Sequence, residues 1–265
     1  MKYMNEKTKQ NSVPPQVQQQ NLLPLAPLTL IVGHYGVGKT NLSMNLAIDT
    51  ARSGKQVTLI DLDIVNPYFR SSDYGALLKD EGVELIAPLY AGTTLDMPSL
   101  SGRIDTLINA AGENHTVIFD VGGDDVGATA LGRFGKKIAA HPHAMLYVLN
   151  AYRNLTQDIT EAVSLLRDIE AKSGLRATGL VNNSHLQGET ALATLLASRD
   201  FAENIARDTN LPLLATTIPH PLLHDLDASQ TPKASNCPKS SAFFPPEVPL
   251  NPYLVQVYVH TPWEL

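Results

Sequence analysis

Leu28-Thr29-Leu30-Ile31-Val32-Gly33-His34-Tyr35-Gly36-Val37-Gly38-Lys39-Thr40 is the stretch on which the reading of the chain rests. The apolar run Leu28–Val32 is short enough for a strand and stops at a glycine. From Gly33 to Thr40 the residues fit G-x-x-x-x-G-K-[ST], the spacing of a phosphate-binding loop. Glycines let successive backbone N–H groups turn toward an anion with no Cβ in the way. A helix starting near Gly38 would point its positive end at the same anion. Lys39 is then expected to reach the β- and γ-phosphates, and the Thr40 hydroxyl to ligate Mg²⁺. The expected contacts from this stretch are Gly33, Gly36, Val37, Gly38, Lys39, Thr40 and Asn41.

Outward from the loop, the chain alternates strand and helix. Lys39–Arg52 reads as a helix with Leu42, Leu46 and Thr50 on one face. Gln56–Asp61 is a continuous β-branched run, as expected of a strand buried on both sides. Val83–Ala87, Thr116–Asp120, Ala144–Asn150, Thr178–Asn182 and Leu213–Ile218 read as further strands. Arg103–Ala111, Gln157–Lys172 with Thr156 as N-cap, and Glu189–Arg207 read as helices. Such alternation predicts an α/β fold of the P-loop NTPase type, a mostly parallel sheet flanked by helices on both faces. Ligands of these sheets sit beyond the carboxyl ends of the strands.

Two carboxylate motifs fall at such ends. Asp61-Leu62-Asp63 closes the second strand, and a carboxylate there can hold a metal-bound water or orient an attacking one. Thr116-Val117-Ile118-Phe119-Asp120 ends in the acid of a Walker B strand, expected to meet Mg²⁺ through water. Asp120-x-x-Gly123 adds a glycine whose N–H can face a terminal phosphate and sense its presence. The guanine-reading tetrapeptide NKxD does not occur. Asn182 and Asn183 close a later strand, where an amide can meet adenine's Watson–Crick edge, so ATP is favoured over GTP. The expected cofactors are ATP and Mg²⁺, with Lys39 and Asp63 catalytic and Thr40, Asp63 and Asp120 around the metal.

Composition narrows the class. At 265 residues the chain suits one sizeable α/β domain. Residues 1–26, rich in Gln, Asn and Pro, read as a disordered tail, and 27–228 as the domain. Residues 229–265 carry seven prolines and one β-like stretch, Leu254–His260, expected as an edge strand or a strap. A net charge of −6 argues against nucleic acid or an anionic membrane as partner. The single cysteine, Cys237, excludes a disulfide framework. With no run long enough to span a membrane and no apolar signal segment, a cytoplasmic location is expected.

The set Gly33–Thr40, Asp61-Leu62-Asp63, Asp120-x-x-Gly123 and Asn182 resembles the MinD/ParA branch of P-loop ATPases. That branch includes the CobB/CobQ amidotransferases, dethiobiotin synthetase and the nitrogenase iron protein. More narrowly, IDLDIVNPYFRS and DVGGDDVGATALGRF resemble bacterial CobQ/CobB/MinD/ParA nucleotide-binding domains, over about residues 28–226. The resemblance implies Lys39 and Thr40 as the loop lysine and Mg²⁺ ligand and Asp63 as the switch I aspartate. It implies Asp120 as the Walker B acid and Asn182 as the adenine contact. It also implies a homodimer, yet His34 stands where that branch often has a signature lysine, and a neutral His is a weaker phosphate ligand.

The leading expectation is a MgATP-dependent ATPase that binds ATP and ADP and switches a protein partner. One alternative is an enzyme that phosphorylates a small carboxylate in a pocket of Asp124, Asp125 and Arg133; another is a module that holds ATP without hydrolysing it. Arg70 and Arg133 are candidate phosphate contacts. His220 and His224, His141 and His143, and Cys237 are better read as capping, loop and surface residues.

Overall fold

The computed structural model describes residues 23, 25–63, 74–87, 97–123, 125–153, 158–186, 189–220, 222 and 251–259. The expectations for Arg70, Asp124, Thr156, His224 and Cys237, and for most of the tail and the Pro-rich segment, lie outside these residues.

Eight strands form one sheet: β1 (Leu28–Gly33), β2 (Gln56–Leu62), β3 (Val83–Ile86), β4 (His115–Val121), β5 (His143–Leu149), β6 (Gly179–Asn182), β7 (Leu213–Pro219) and β8 (Pro252–Val255). Their order is β3-β2-β4-β1-β5-β6-β7-β8, and every pair is parallel. The connecting helices are α1 (Lys39–Arg52), α2 (Gly75–Asp80), α3 (Met97–Ala110), α4 (Asp125–Ala139), α5 (Ile159–Ser173), α6 (Leu192–Ala197) and α7 (Arg199–Thr209). This is the doubly flanked parallel sheet that the alternation predicts.

Both sheet faces are covered, so the strands are apolar throughout rather than alternating. β1 shows how the period of two divides them. Leu28, Leu30 and Val32 join a core with residues of α3, α4, α5 and α7. Ile31 enters the opposite core, which is built on Leu42, Met44, Leu46 and Ile48 of α1. Leu23 and Leu25, read from sequence as tail, pack against that second core.

The chain leaves β1 through α1 for one side of the sheet, and α4 later carries it across β1 to the other. β1 therefore lies between β4 and β5, where the direction of winding reverses, and its carboxyl end opens into the crevice that such a reversal leaves.

Several elements correct the sequence reading. α5 starts at Ile159 with Asp158 as N-cap, whose side chain accepts from the N–H groups of Thr160 and Glu161. The span Glu189–Arg207 is two helices, broken at Ser198, whose buried hydroxyl donates to Leu195 O. α3 begins at Met97, ahead of the expected Arg103. α2 and α4 carry no expectation from sequence.

The C-terminal segment is both edge strand and strap. β8 pairs with β7, and residues 256–259 then run along α1. Asn41 and Asn45 donate to Gln256 O at 3.1 and 2.9 Å. Asn45 Oδ1 accepts from Gln256 N at 2.7 Å, and Asn41 Oδ1 from Tyr258 N at 2.8 Å. Tyr253 Oη donates to Asp49 at 2.8 Å.

Candidate functional site

The phosphate-loop sequence folds around its own lysine. Lys39 is buried, and Nζ donates to His34 O at 2.9 Å across the loop. Gly38 caps α1 in the left-handed conformation, φ 88°, and so brings no capping side chain of its own, and the first turn holds no acid. The positive end of α1 thus opens behind a glycine, the arrangement a phosphate-binding loop requires.

A brace crosses from the other half of the sheet. Asn183, just past β6, donates Nδ2 to Val37 O at 2.7 Å, and its Oδ1 accepts from Thr217 Oγ1 at 2.6 Å. A Cβ at Gly38 would stand 2.3 Å from Asn183 Nδ2, so the glycine serves this contact as well as the backbone angle. Asn182 donates Nδ2 to Ser198 Oγ at 3.0 Å, and its Oδ1 accepts from Ser184 N at 3.3 Å. Both amides expected at the base are buried and engaged within the protein in this conformation.

The carboxylates converge as the sequence spacing suggests. Asp61 and Asp120 are directly paired positions on adjacent strands β2 and β4, and both are 1% exposed. Asp63 follows at 8%, its N–H donating to Asp61 Oδ1 at 2.9 Å, which turns the chain out of the sheet. Ser43 Oγ donates to Asp120 Oδ1 at 3.3 Å. Since Thr40 and Ser43 share one helix face a turn apart, this bond sets the Walker B acid within one turn of the proposed metal hydroxyl. Ser43 went unnoticed in the sequence, although its i+3 spacing from Thr40 was the available signal.

Among the described residues no three His, Cys, Asp or Glu side chains form a metal cage. Mg²⁺ takes one or two protein oxygens and fills its shell with water and phosphate, so a hydroxyl and a carboxylate from this end of the sheet are the kind of donors it uses. Thr40 and Asp120 would hold it.

Gly123 is placed by a close approach. A Cβ there would lie 2.4 Å from Tyr35 N and 2.6 Å from Tyr35 Cα, so the segment after β4 rests on the phosphate loop backbone. The Asn41 side chain turns away from the loop to the C-terminal strap. Asp125 begins α4 and pairs with Lys172 of α5. Arg133 is exposed, eight residues further along α4 and about 12 Å from its start. The described residues thus do not gather the acid-binding pocket expected of Asp124, Asp125 and Arg133. His141 and His143 bond to each other at the amino end of β5, away from the loop.

One neighbour of the loop had no sequence signal. Arg153, in the turn after β5, places Cδ and Nε against Gly36. Close by, burial and secondarily the Arg153 charge hold the His185 imidazole down to about 4, so it stays neutral at physiological pH.

No helix among the described residues is long and apolar enough to cross a membrane. No curated protein matches the chain in sequence. Similar solved structures include the 54 kDa signal recognition particle protein from Aeropyrum pernix in complex with GDP, at 19% identity and TM-score 0.48, covering 77% of this chain and 42% of that one. FtsY from Mycoplasma mycoides is 16% identical with TM-score 0.49, over 70% and 58% of the two chains. FtsY from Thermotoga maritima is 20% identical with TM-score 0.49, over 74% and 63%. The chain thus spans about half the length of these proteins. Residues 29–219, from β1 through β7 and all the candidate site residues, match the CbiA family, the CobQ/CobB/MinD/ParA nucleotide binding domain, and the chain belongs to that family.

Proposed function

We propose that the protein binds MgATP, hydrolyses it slowly, and acts as a nucleotide-controlled switch on a protein partner. The observation that carries this reading is the amino end of α1, which starts behind a left-handed glycine with no acid in its first turn, beside Lys39, Thr40 and the buried carboxylates Asp61, Asp63 and Asp120. Lys39 would exchange its bond to His34 O for phosphate oxygens, a charge-assisted contact stronger than the one it leaves. Mg²⁺ would supply charge neutralisation on the β- and γ-oxygens. Asp120, oriented by Ser43, and the Thr40 hydroxyl would hold the metal with its waters. Asp63 would orient the attacking water. Gly123 rests on His34 and Tyr35, so a terminal phosphate entering there would displace it. That displacement is the switching motion in this reading.

For the base, Asn182 or Asn183 would have to release a present partner, Ser198 or Val37. ATP remains favoured over GTP because no guanine-reading tetrapeptide follows a strand. The switch is preferred to a carboxylate-activating enzyme because Asp125 is taken by Lys172 and Arg133 lies along α4.

The test is titration of fluorescent ATP, ADP and GTP analogues into the full chain and Lys39→Ala, with phosphate release measured with and without Mg²⁺. Slow Mg²⁺-dependent release that prefers ATP and drops at least tenfold in Lys39→Ala is expected. Tight ATP binding with no release in the wild type would instead make the protein a non-hydrolysing module. Sharp stimulation by one small carboxylic acid would overturn the switch in favour of a biosynthetic enzyme.

A further inference from the structure

We propose that Arg153 is a phosphate-contacting residue, a cation held in cis over the nucleotide loop by the turn after β5. The inference rests on the nucleotide-binding reading above and extends it to a residue outside the phosphate-loop and carboxylate motifs.

The placement comes first. β5 lies directly beside β1, with Val148 opposite Gly33, so the turn leaving β5 is carried straight to the phosphate loop. Gly36 sits in mid-loop at φ 76°, and the atoms nearest to where its Cβ would be are Arg153 Nε at 3.9 Å and Cδ at 4.0 Å. The side chain therefore lies beside the loop at Gly36, with its charged end on the β5 side of the phosphate loop.

The backbone that carries it is fixed from several directions. Arg153 N donates to Asn150 O at 3.3 Å, and Tyr152 N to Asn150 Oδ1 at 3.0 Å. Ala151 N donates to Ser184 Oγ at 2.8 Å, tying this turn to the one after β6 that braces Val37. Tyr152 Oη donates to the backbone O of Thr194 in α6. A cation on a turn held this way needs little reorganisation when an anion arrives.

The chemistry favours arginine for this place. Its guanidinium stays charged at any physiological pH and offers a planar fork that matches two phosphate oxygens. His185, another basic side chain near this turn, stays neutral there, while Arg153 keeps its positive charge beside the loop. The buried acids Asp61, Asp63 and Asp120 set a negative field on the β2–β4 side of the loop. Arg153 approaches from the β5 side, so a polyphosphate would be drawn between it and the metal.

The test compares ATP, ADP, AMP and adenosine binding by calorimetry in wild type, Arg153→Ala, Arg153→Lys, Arg153→Gln and Lys39→Ala, each checked by thermal melting. Arg153→Ala and Arg153→Gln are expected to weaken ATP and ADP by roughly ten- to a hundredfold. AMP should change little and adenosine not at all, while Arg153→Lys recovers part of the loss. A purely structural role would weaken all four ligands together and lower the melting temperature, and that outcome overturns the proposal. If ATP binding needs Lys39 yet is unchanged in both Arg153→Ala and Arg153→Gln, the proposal falls while the nucleotide-binding reading stands. If the wild type binds none of the four, both fall together.

Discussion

Helices α1 and α5 are nearly equal in length and both follow a central strand, yet they begin in opposite ways. α5 closes itself: Asp158 accepts from two first-turn N–H groups, and Glu161 adds a second acid near the positive end. Those backbone bonds, that from Thr160 foremost, hold the Asp158 carboxyl below its usual range. α1 starts behind a left-handed glycine that brings no capping side chain and places no acid in its first turn. A helix that satisfies its own amino end serves packing, while one that leaves it open inside a crevice serves a ligand.

The sharpest way to break the comparison is to give α1 the kind of opening α5 has. Gly38→Asp puts a side chain at φ 88° and a Cβ 2.3 Å from Asn183 Nδ2, disturbing the bond to Val37. It also sets a carboxylate against incoming phosphate. A loss of at least roughly a hundredfold in ATP affinity and about 3 kcal/mol of stability is expected, read by calorimetry and urea unfolding.

Gly123→Ala probes the segment that rests on the loop. Its new methyl meets the Tyr35 backbone rather than a movable side-chain tip, so the segment must shift. About 2 kcal/mol of destabilisation in the nucleotide-free protein is expected by urea unfolding. The cost should shrink when ATP is bound, if a terminal phosphate displaces the segment. An equal cost in both states would remove the sensing role.

A third measurement concerns the turn that braces α1. The folded His185 holds out against protonation until about 4, against an ordinary 6.5, whereas the unfolded chain takes its proton near the ordinary value. Its contribution to stability is therefore full above about pH 6.5 and is lost as pH falls toward 4. With a discount for partial exposure, the wild type should lose between about 1 and 2 kcal/mol more than His185→Asn from pH 7 to 4.5. Equal slopes in urea unfolding would show that the imidazole is not held neutral.

The smallest effect should come from the closed helix. Asp158→Ala removes the cap of α5, and the melting temperature should fall by roughly 2–4 °C with nucleotide affinity unchanged. A change in ATP affinity would show that the two helix ends are coupled.

Much of the nucleotide end was legible because it is local. Strand, glycine loop and helix lie within 25 residues of one another, and the read boundaries Lys39–Arg52 are those of α1. β2 and β4 were readable because strands buried on both faces are continuous apolar runs, and their carboxylates stand out at the ends. α4 escaped notice because Gly127, Gly132 and Gly135 dilute its helical signal, although its apolar residues keep the spacing. The split at Ser198 was equally hidden, since the Ser198 hydroxyl there is engaged by Asn182 on a distant strand.

The fold class, and the positions of the glycine loop and of the acids at the strand ends, were legible from the chain because each depends on sequence neighbours or on a period of burial. Only the tertiary structure decided that Asn183 braces the loop, that Asn41 holds the C-terminal strap, that Ser43 orients Asp120, and that Arg153 lies over Gly36. Apart from the Ser43 bond, these contacts join residues more than a hundred positions apart along the chain, and the Ser43 bond itself spans 77. Such pairings are set by strand order and sheet register, which no local pattern encodes.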